Sequence, residues 1–410
     1  MQEDSTGQSN ISPSIAVLFL TFLKIGSVAF GGYMALISII QKTIVEKKKL
    51  MTSEDILNGI SLASLLPGPV AVNVVAYVGY YLRGGIGAAA CLFAVILPSF
   101  ILVVIFSHLY FTYSNTLEVQ DILKGVSSAV AAIVASVALK MGKKTVRNRK
   151  EIALTIAALF LLIFSPQRLN LYTSLFIIVT FAALGQFLFK EKYKNIKQIN
   201  GDLKSIKKTI IMIAPLACIL IAGAFTSQIS SDSLLYLTIT FSSLSLLLFG
   251  GGFVFIPIIG SIIVHDLNWM SMQAFSDGLA IGQITPGPIV ITAAFIGYKV
   301  HGILGAFLAT VAIFVPPAIL MCAFSNILLK IKESPYVQSS LHAIRCGVIG
   351  MICAAVYFII NPELPISLAN STDLLKSLLI FTVTLLAIRR ISLDIIWALF
   401  LSGFAGYFLY

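Results

Sequence analysis

Charged residues are scarce in this 410-residue chain: Asp, Glu, Lys and Arg make up 11%, while 58% of the residues are hydrophobic. Soluble domains carry roughly a quarter charged residues, so a water-soluble fold is excluded. Cysteine is sparse as well. Cys91, Cys218, Cys322, Cys346 and Cys353 lie scattered in apolar segments without CxxC spacing. That pattern excludes a disulfide framework and a thiolate metal site, leaving small buried hydrophobes. The four histidines are equally dispersed. No nucleophile–base pair, metal cluster or phosphate loop is evident, so neither catalysis nor a cofactor is expected. Met1 to Asn10 has no basic n-region and reads as an uncleaved polar tail rather than a signal peptide. Apolar residues run continuously instead of alternating, which excludes a transmembrane β-barrel.

What the chain has in quantity is long apolar runs. Runs of 18 or more residues recur from Ser14 to Phe408, which makes this an all-α polytopic membrane protein of about 10–13 transmembrane segments. It is expected in the cell membrane, in contact with lipids. The net charge of +11 gathers in three short loops: Lys42 to Lys49, Lys140 to Lys150, and Lys190 to Lys208. Short basic loops beside apolar spans follow the positive-inside rule, so no nucleic-acid partner is implied.

The chain is also internally repeated. Phe30-Gly31-Gly32 answers to Phe249-Gly250-Gly251, Gly59 to Gly278, and Leu66-Pro67-Gly68-Pro69 to Thr285-Pro286-Gly287-Pro288, at an offset of 219. One residue is lost after the second Pro-Gly-Pro. Gly79, Gly84, Gly87 and Pro98 then match Gly297, Gly302, Gly305 and Pro316 at 218. The divisions are a polar tail (1–13), a first membrane repeat (14–189), a basic linker with an extra apolar helix at 208–227 (190–232), and a second membrane repeat (233–410). The loop at 41–50 carries four lysines, its equivalent at 264–271 none. Six basic residues at 140–150 likewise answer to none at 361–373. Equivalent loops of opposite bias face opposite sides, so two inverted-topology repeats are expected. Inversion requires an odd number of crossings between equivalents. Either 208–227 or one of the broken blocks supplies the parity.

Blocks 53–82 and 272–300 are each split by Pro-Gly-Pro into pieces of about a dozen residues, too short to cross roughly 30 Å of hydrocarbon as helices. Each is either a re-entrant helical hairpin or a single broken crossing. Pro67 and Pro286 end the helix before them. Gly68 and Gly287 allow the turn, and Pro69 and Pro288 suit the first turn after it. A helix N-terminus at membrane depth, with free N–H groups, is an anion site. Ser64 and Asn73 in the first copy, and Gln283, Thr285 and Thr292 in the second, add polar groups. Gly31, Gly32, Gly250 and Gly251 serve either close helix packing or close approach of backbone to ligand. Lys24 lies about 15 Å into its block, where a lysine is costly, and its counterpart is Ser243. It reads as a counter-charge for an anion. Lys124 and Arg345, paired at an offset of 221, either line an anion path or anchor helices at the headgroups. Asp277, counterpart of Asn58, is either a coupling group or a capping residue.

Together Val28-Ala29-Phe30-Gly31-Gly32, Leu57-Asn58-Gly59 through Pro67-Gly68-Pro69 with Asn73 and Gly79, and the copies centred on Gly250 and Pro286 resemble the chromate ion transporter family in its fused two-domain form. The resemblance spans essentially the whole chain. It implies a secondary transporter of tetrahedral oxyanions with antiparallel halves, chromate efflux being the named activity. Tyr33 stands where members often place proline, and Thr292 stands opposite Asn73. Sulfate has nearly the shape and charge of chromate, and the residues do not separate them. An anion channel and a membrane enzyme acting on lipid phosphates are the other readings, and assembly as a homodimer stays open.

Overall fold

The computed structural model describes residues 13–30, 33–64, 66–113, 117–165, 170–189, 191, 233–246, 248, 255–325, 335–360 and 371–410. Gly31, Gly32, Gly250, Gly251, the tail before Pro13 and the apolar block 208–227 lie outside them. Among the described residues there is helix and no strand.

The first repeat contains α1 (Ile15–Val28), α2 (Tyr33–Ile40, continued by a π turn over Gln41–Lys47), α3 (Ser53–Ala63), α4 (Val70–Tyr113), α5 (Leu117–Thr145), α6 (Arg149–Ile163) and α7 (Asn170–Leu188). The second contains α8 (Leu234–Ser245), α9 (Phe255–Gly260, continued by a π turn over Ser261–Asp266), α10 (Met272–Ile284), α11 (Thr292–Phe324), α12 (Pro335–Ile360), α13 (Ser371–Leu386) and α14 (Ile395–Leu409). Element n therefore answers to element n + 7. The stretches Val70–Tyr113, Val119–Thr145, Ile289–Phe324 and Gln338–Ile359 are long and apolar enough to span a membrane.

The correspondence extends to single dihedrals. Thr52 and Ser271 cap α3 and α10 with side-chain oxygens, satisfying N–H groups the first turn leaves open. Lys49 and Asn268 share a left-handed conformation, at φ 52° and 50°. Both α4 and α11 fold back on themselves, at Gly84 (φ 62°, ψ −153°) and Gly302 (φ 60°, ψ −148°). Only glycine enters that region readily. In each, two further glycines let the limbs touch through backbone: Gly79 against Gly87, and Gly297 against Gly305.

The Pro-Gly-Pro segments are hairpins rather than broken crossings. A Cβ on Gly59 of α3 would strike the Tyr77 ring of α4, and one on Gly278 of α10 the Phe295 ring of α11. Residues nine before and nine after Gly68, and nine before and eight after Gly287, thus face each other, so each chain enters, turns at its Pro-Gly-Pro and leaves on the same face. The Nε of Arg83 donates to the carbonyl of Pro13 at 2.7 Å, which places the start of α1 on that face too. These hairpins add no net crossing. The block 208–227, the other expected source of the parity, lies outside the described residues.

The repeats run antiparallel and interlock. On α4 the limb 85–113 is about 43 Å long. Its far end meets the second repeat's turn: His108 Nδ1 lies 3.0 Å from Tyr298 Oη, and Phe111 stacks on Tyr298. Gly302 therefore sits at the opposite face from Gly84. The later helices are exchanged. α6 and α7 pack on α12, and α13 and α14 pack on α5. Gly406 abuts the carbonyl of Asp121, just as Gly185 abuts that of Ser339, which holds the 218 register through α5 and α12. In that register Lys124 answers to His342, and Arg345 to Ser127, not to Lys124. His342 Nε2 meets Glu151 Oε1 of α6 at 2.6 Å, joining the repeats through a buried pair.

Candidate functional site

Four chain breaks meet in the interior. The N–H of Gly68 donates to the carbonyl of Leu248 at 2.6 Å, and the N–H of Gly287 donates to the carbonyl of Ala29 at 2.9 Å. Leu248 precedes the second Phe-Gly-Gly and Ala29 the first. Each hairpin tip is thus bonded to the break after the other repeat's first helix. The opposing long limb supports each tip: Gly68 lies against Pro317, and Gly287 against Ser99, two positions again 218 apart. Gly68 (φ 102°) and Gly287 (φ 129°) are both left-handed, so these turns require glycine.

The tips are buried, and their polar groups divide into committed and free. The N–H groups of the two turn glycines are committed to the cross-repeat bonds. Ser64 donates to the carbonyl of Ile60, Thr285 to that of Gly282, and Thr292 to that of Ile289. Their hydroxyl protons tie off local backbone. Asn73 donates from Nδ2 to the carbonyl of Pro67 at 3.0 Å, while its buried Oδ1 has no partner. Gln283 Nε2 is likewise buried without a partner. Beyond Pro69, the first-turn N–H groups of Val70, Ala71 and Val72 find no acceptor among the described residues. The same holds for Ile289 and Val290 beyond Pro288, where a 3₁₀ turn precedes α11. Unpartnered buried donors are rare and ask for an explanation.

Lys24 is on the exposed face of α1, whereas Leu18, Phe22 and Ile25 of the same helix are buried. It lines a groove with Lys42, Lys47 and Lys48 that reaches Val28, one residue from Ala29. Lys124 is 42% exposed, 3.5 Å from Asp121, with its Nζ 5.0 Å from the centre of the Tyr410 ring. That places it in a chain-end cluster, away from the tips. Arg345 is half-buried at mid-length of α12 with no ion-pair partner among the described residues.

Asp277 does not cap α10, because Ser271 does. Its carboxylate is buried and accepts from Tyr110 Oη of α4 at 2.9 Å, Ser127 Oγ of α5 at 3.1 Å and Gln273 Nε2 at 3.1 Å. Gln273 is one helical turn from Asp277, but Tyr110 and Ser127 stand 167 and 150 residues away, so the sequence does not show that the three converge. Their signal lies in the repeat offsets: Asn58, Glu54 and Arg345 occupy the equivalent positions of Asp277, Gln273 and Ser127. The packing there is unequal. α10 packs on α5 and α14, yet α3 has no comparable packing against α12 or α7. One hairpin is docked and its counterpart is not.

Comparison with known proteins agrees with this architecture. The family model described as chromate transporter matches residues 16–186 and again 235–407, one match per repeat. An uncharacterized transporter of Methanocaldococcus jannaschii is 32% identical over 349 residues, covering 84% of each chain. The probable chromate transport protein of Synechococcus elongatus is 28% identical over 384 residues, 86% of this chain and 87% of its own. The chromate transport protein of Cupriavidus metallidurans is 29% identical over 356 residues, 86% and 84%. No solved structure matches. With both repeats matched in order, the chain belongs to the chromate transporter family, whose members are multi-pass membrane transporters.

Proposed function

We propose that the protein is a secondary active carrier of tetrahedral oxyanions that exports chromate and accepts the isosteric sulfate, and that it is not an enzyme. The observation that carries this reading is the reciprocal bonding of Gly68 to Leu248 and Gly287 to Ala29, which brings all four breaks to one place. An anion there gives up water for the free N–H groups of both tips and for Gln283, while Asn73 Oδ1 accepts from a retained water. Charge-assisted hydrogen bonds to backbone N–H are stronger than neutral ones, which offsets dehydration.

Alternating access follows from unequal packing of equal halves. Here the second repeat's hairpin is docked on α5 and α14. In the opposite state, the first repeat's hairpin docks on α12 and α7. Both states keep the tips, and only the docked face changes.

The test is counterflow in proteoliposomes, with labelled chromate or sulfate outside and unlabelled anion inside. Saturable, trans-stimulated uptake is expected in the parent. Pro67→Ala, which lets the preceding helix run on into the tip, is expected to lower it at least about tenfold, since interior geometry of this kind is worth a few kcal/mol. Lys24→Ala is expected to raise KM more than it lowers turnover. Uptake that does not saturate and shows single-channel currents identifies a channel instead, and unchanged flux in both variants overturns the site.

A further inference from the structure

We infer that the groove between α1 and α2 is an oxyanion loading vestibule built into one repeat only, an assignment that rests on the carrier reading above and adds sidedness to it. The groove holds about 520 Å³ and is lined by Lys24, Lys42, Lys47 and Lys48 over an apolar floor that includes Leu20 and Val28. All four lysines are exposed. Among the described residues no carboxylate lies within ion-pair distance of any of them.

Four like charges around one concavity repel one another, and the repulsion is relieved by an anion held between them. Low-dielectric walls focus that field outward and raise the local concentration of anions. The groove ends at Val28, beside Ala29, whose carbonyl accepts from Gly287. An anion collected by the outer lysines is thus delivered past Lys24 to the meeting point of the tips. This also accounts for a lysine halfway along α1: it faces the groove that the outer lysines keep wet.

The second repeat has no such groove chemistry. At the offset of 219, Ser243, Ser261, Asp266 and Leu267 stand where the first repeat has Lys24, Lys42, Lys47 and Lys48. The tips are nearly equal and the mouths are not. Net direction is set by the driving gradient, but half-saturation then differs between faces, being lower from the face that carries the basic loops.

The test compares right-side-out and everted vesicles of neutral phosphatidylcholine, using sulfate and chromate as probes. For Lys42→Gln/Lys47→Gln/Lys48→Gln, KM from the basic face is expected to rise about tenfold, within the range of electrostatic steering. Turnover and the KM from the opposite face are expected to stay unchanged. Raising ionic strength on the parent should mimic the variant on the basic face alone, because screening shortens to about 3 Å at 1 M salt. Equal shifts on both faces, or none, overturn the vestibule. A defect seen only in turnover and only with anionic lipid present assigns the lysines to a lipid headgroup and overturns it too. Acylation of the lysines with and without sulfate reads the groove independently of flux. Protection by sulfate in a protein that moves no oxyanion keeps the vestibule and removes the carrier. No protection removes the vestibule.

Discussion

Gly68→Ala is expected to abolish oxyanion flux, while Gly287→Ala reduces it severely but leaves a measurable remainder. Both glycines sit at positive φ, 102° and 129°, where a side chain costs on the order of 1–3 kcal/mol. The difference lies in what the new methyl meets. At Gly68 it overlaps the Pro317 ring, with the ring Cγ at 2.7 Å. A proline ring fixed in a helix has no rotamer to yield, and forced overlap adds about 1–3 kcal/mol. At Gly287 the nearest atom is Ser99 Oγ at 2.7 Å, which can turn away. The tip therefore moves further in the first variant, straining the bond from Gly68 to Leu248. Flux per folded molecule is the quantity to measure, with Ser99→Ala added to each variant. The serine change should partly restore Gly287→Ala and do nothing for Gly68→Ala. Full flux in Gly68→Ala would show that the tip geometry is irrelevant to transport.

Asp277→Asn is expected to leave oxyanion exchange largely intact but to remove accumulation driven by a pH gradient. The carboxylate lies at the docked face, held by Tyr110, Ser127 and Gln273. Three neutral donors and no described cation hold it, so gain of a proton turns one of its two oxygens from acceptor into donor and unsettles the bonding at that oxygen, where Tyr110 meets Oδ2 or Ser127 and Gln273 meet Oδ1. Protonation is thereby expected to favour release of the second hairpin from α5. Asparagine keeps the shape but cannot change its charge. It fixes one amide against the same donors and uncouples docking from protons. Asp277→Leu, which leaves the Tyr110 and Ser127 hydroxyls without their acceptor at about 1–3 kcal/mol each while Gln273 keeps Ser127 Oγ, should lose both activities. The comparison is accumulation against exchange in the same vesicles. Gradient-driven accumulation at the parent level in Asp277→Asn would rule this coupling out.

Much of the fold could be read from residue order. The doubled Pro-Gly-Pro, its flanking glycines and the 219-to-218 step anticipated positions that turn out to share dihedrals, because a helix break and a left-handed turn are set locally. Long-range choices were less legible. A dozen apolar residues on either side of a break fit a hairpin or a crossing equally well, and only the packing of Gly59 on Tyr77 and Gly278 on Phe295 decides. The exchange of α6 and α7 onto α12 leaves no local trace, since any apolar face suits any apolar neighbour. Lys24 was legible as anomalous from its depth, but the face it occupies depends on which side of α1 meets α4. Lys124 and Arg345 were matched at 221 because both are basic and near equivalent helix starts. The backbone contacts of Gly185 and Gly406 hold the helices at 218, which moves Arg345 opposite Ser127. That shift sets Arg345 and Asn58 at the equivalents of Ser127 and Asp277, a latent contact expected in the opposite state.

That latent contact offers the most direct test of alternation around fixed tips. With the five native cysteines replaced, Asn58→Cys/Arg345→Cys is oxidised and disulfide formation is followed by the shift of a protease fragment, with and without sulfate. The docked pair Asp277 and Ser127 lies within hydrogen-bond reach at 3.1 Å, so exchange of states should bring residues 58 and 345 within disulfide reach, a Cβ separation of about 3.5–4.5 Å. Cross-linking that goes to completion, depends on sulfate and stops exchange until reductant is added is the predicted result. Failure to cross-link under any condition, in a protein that still exchanges sulfate, would contradict it.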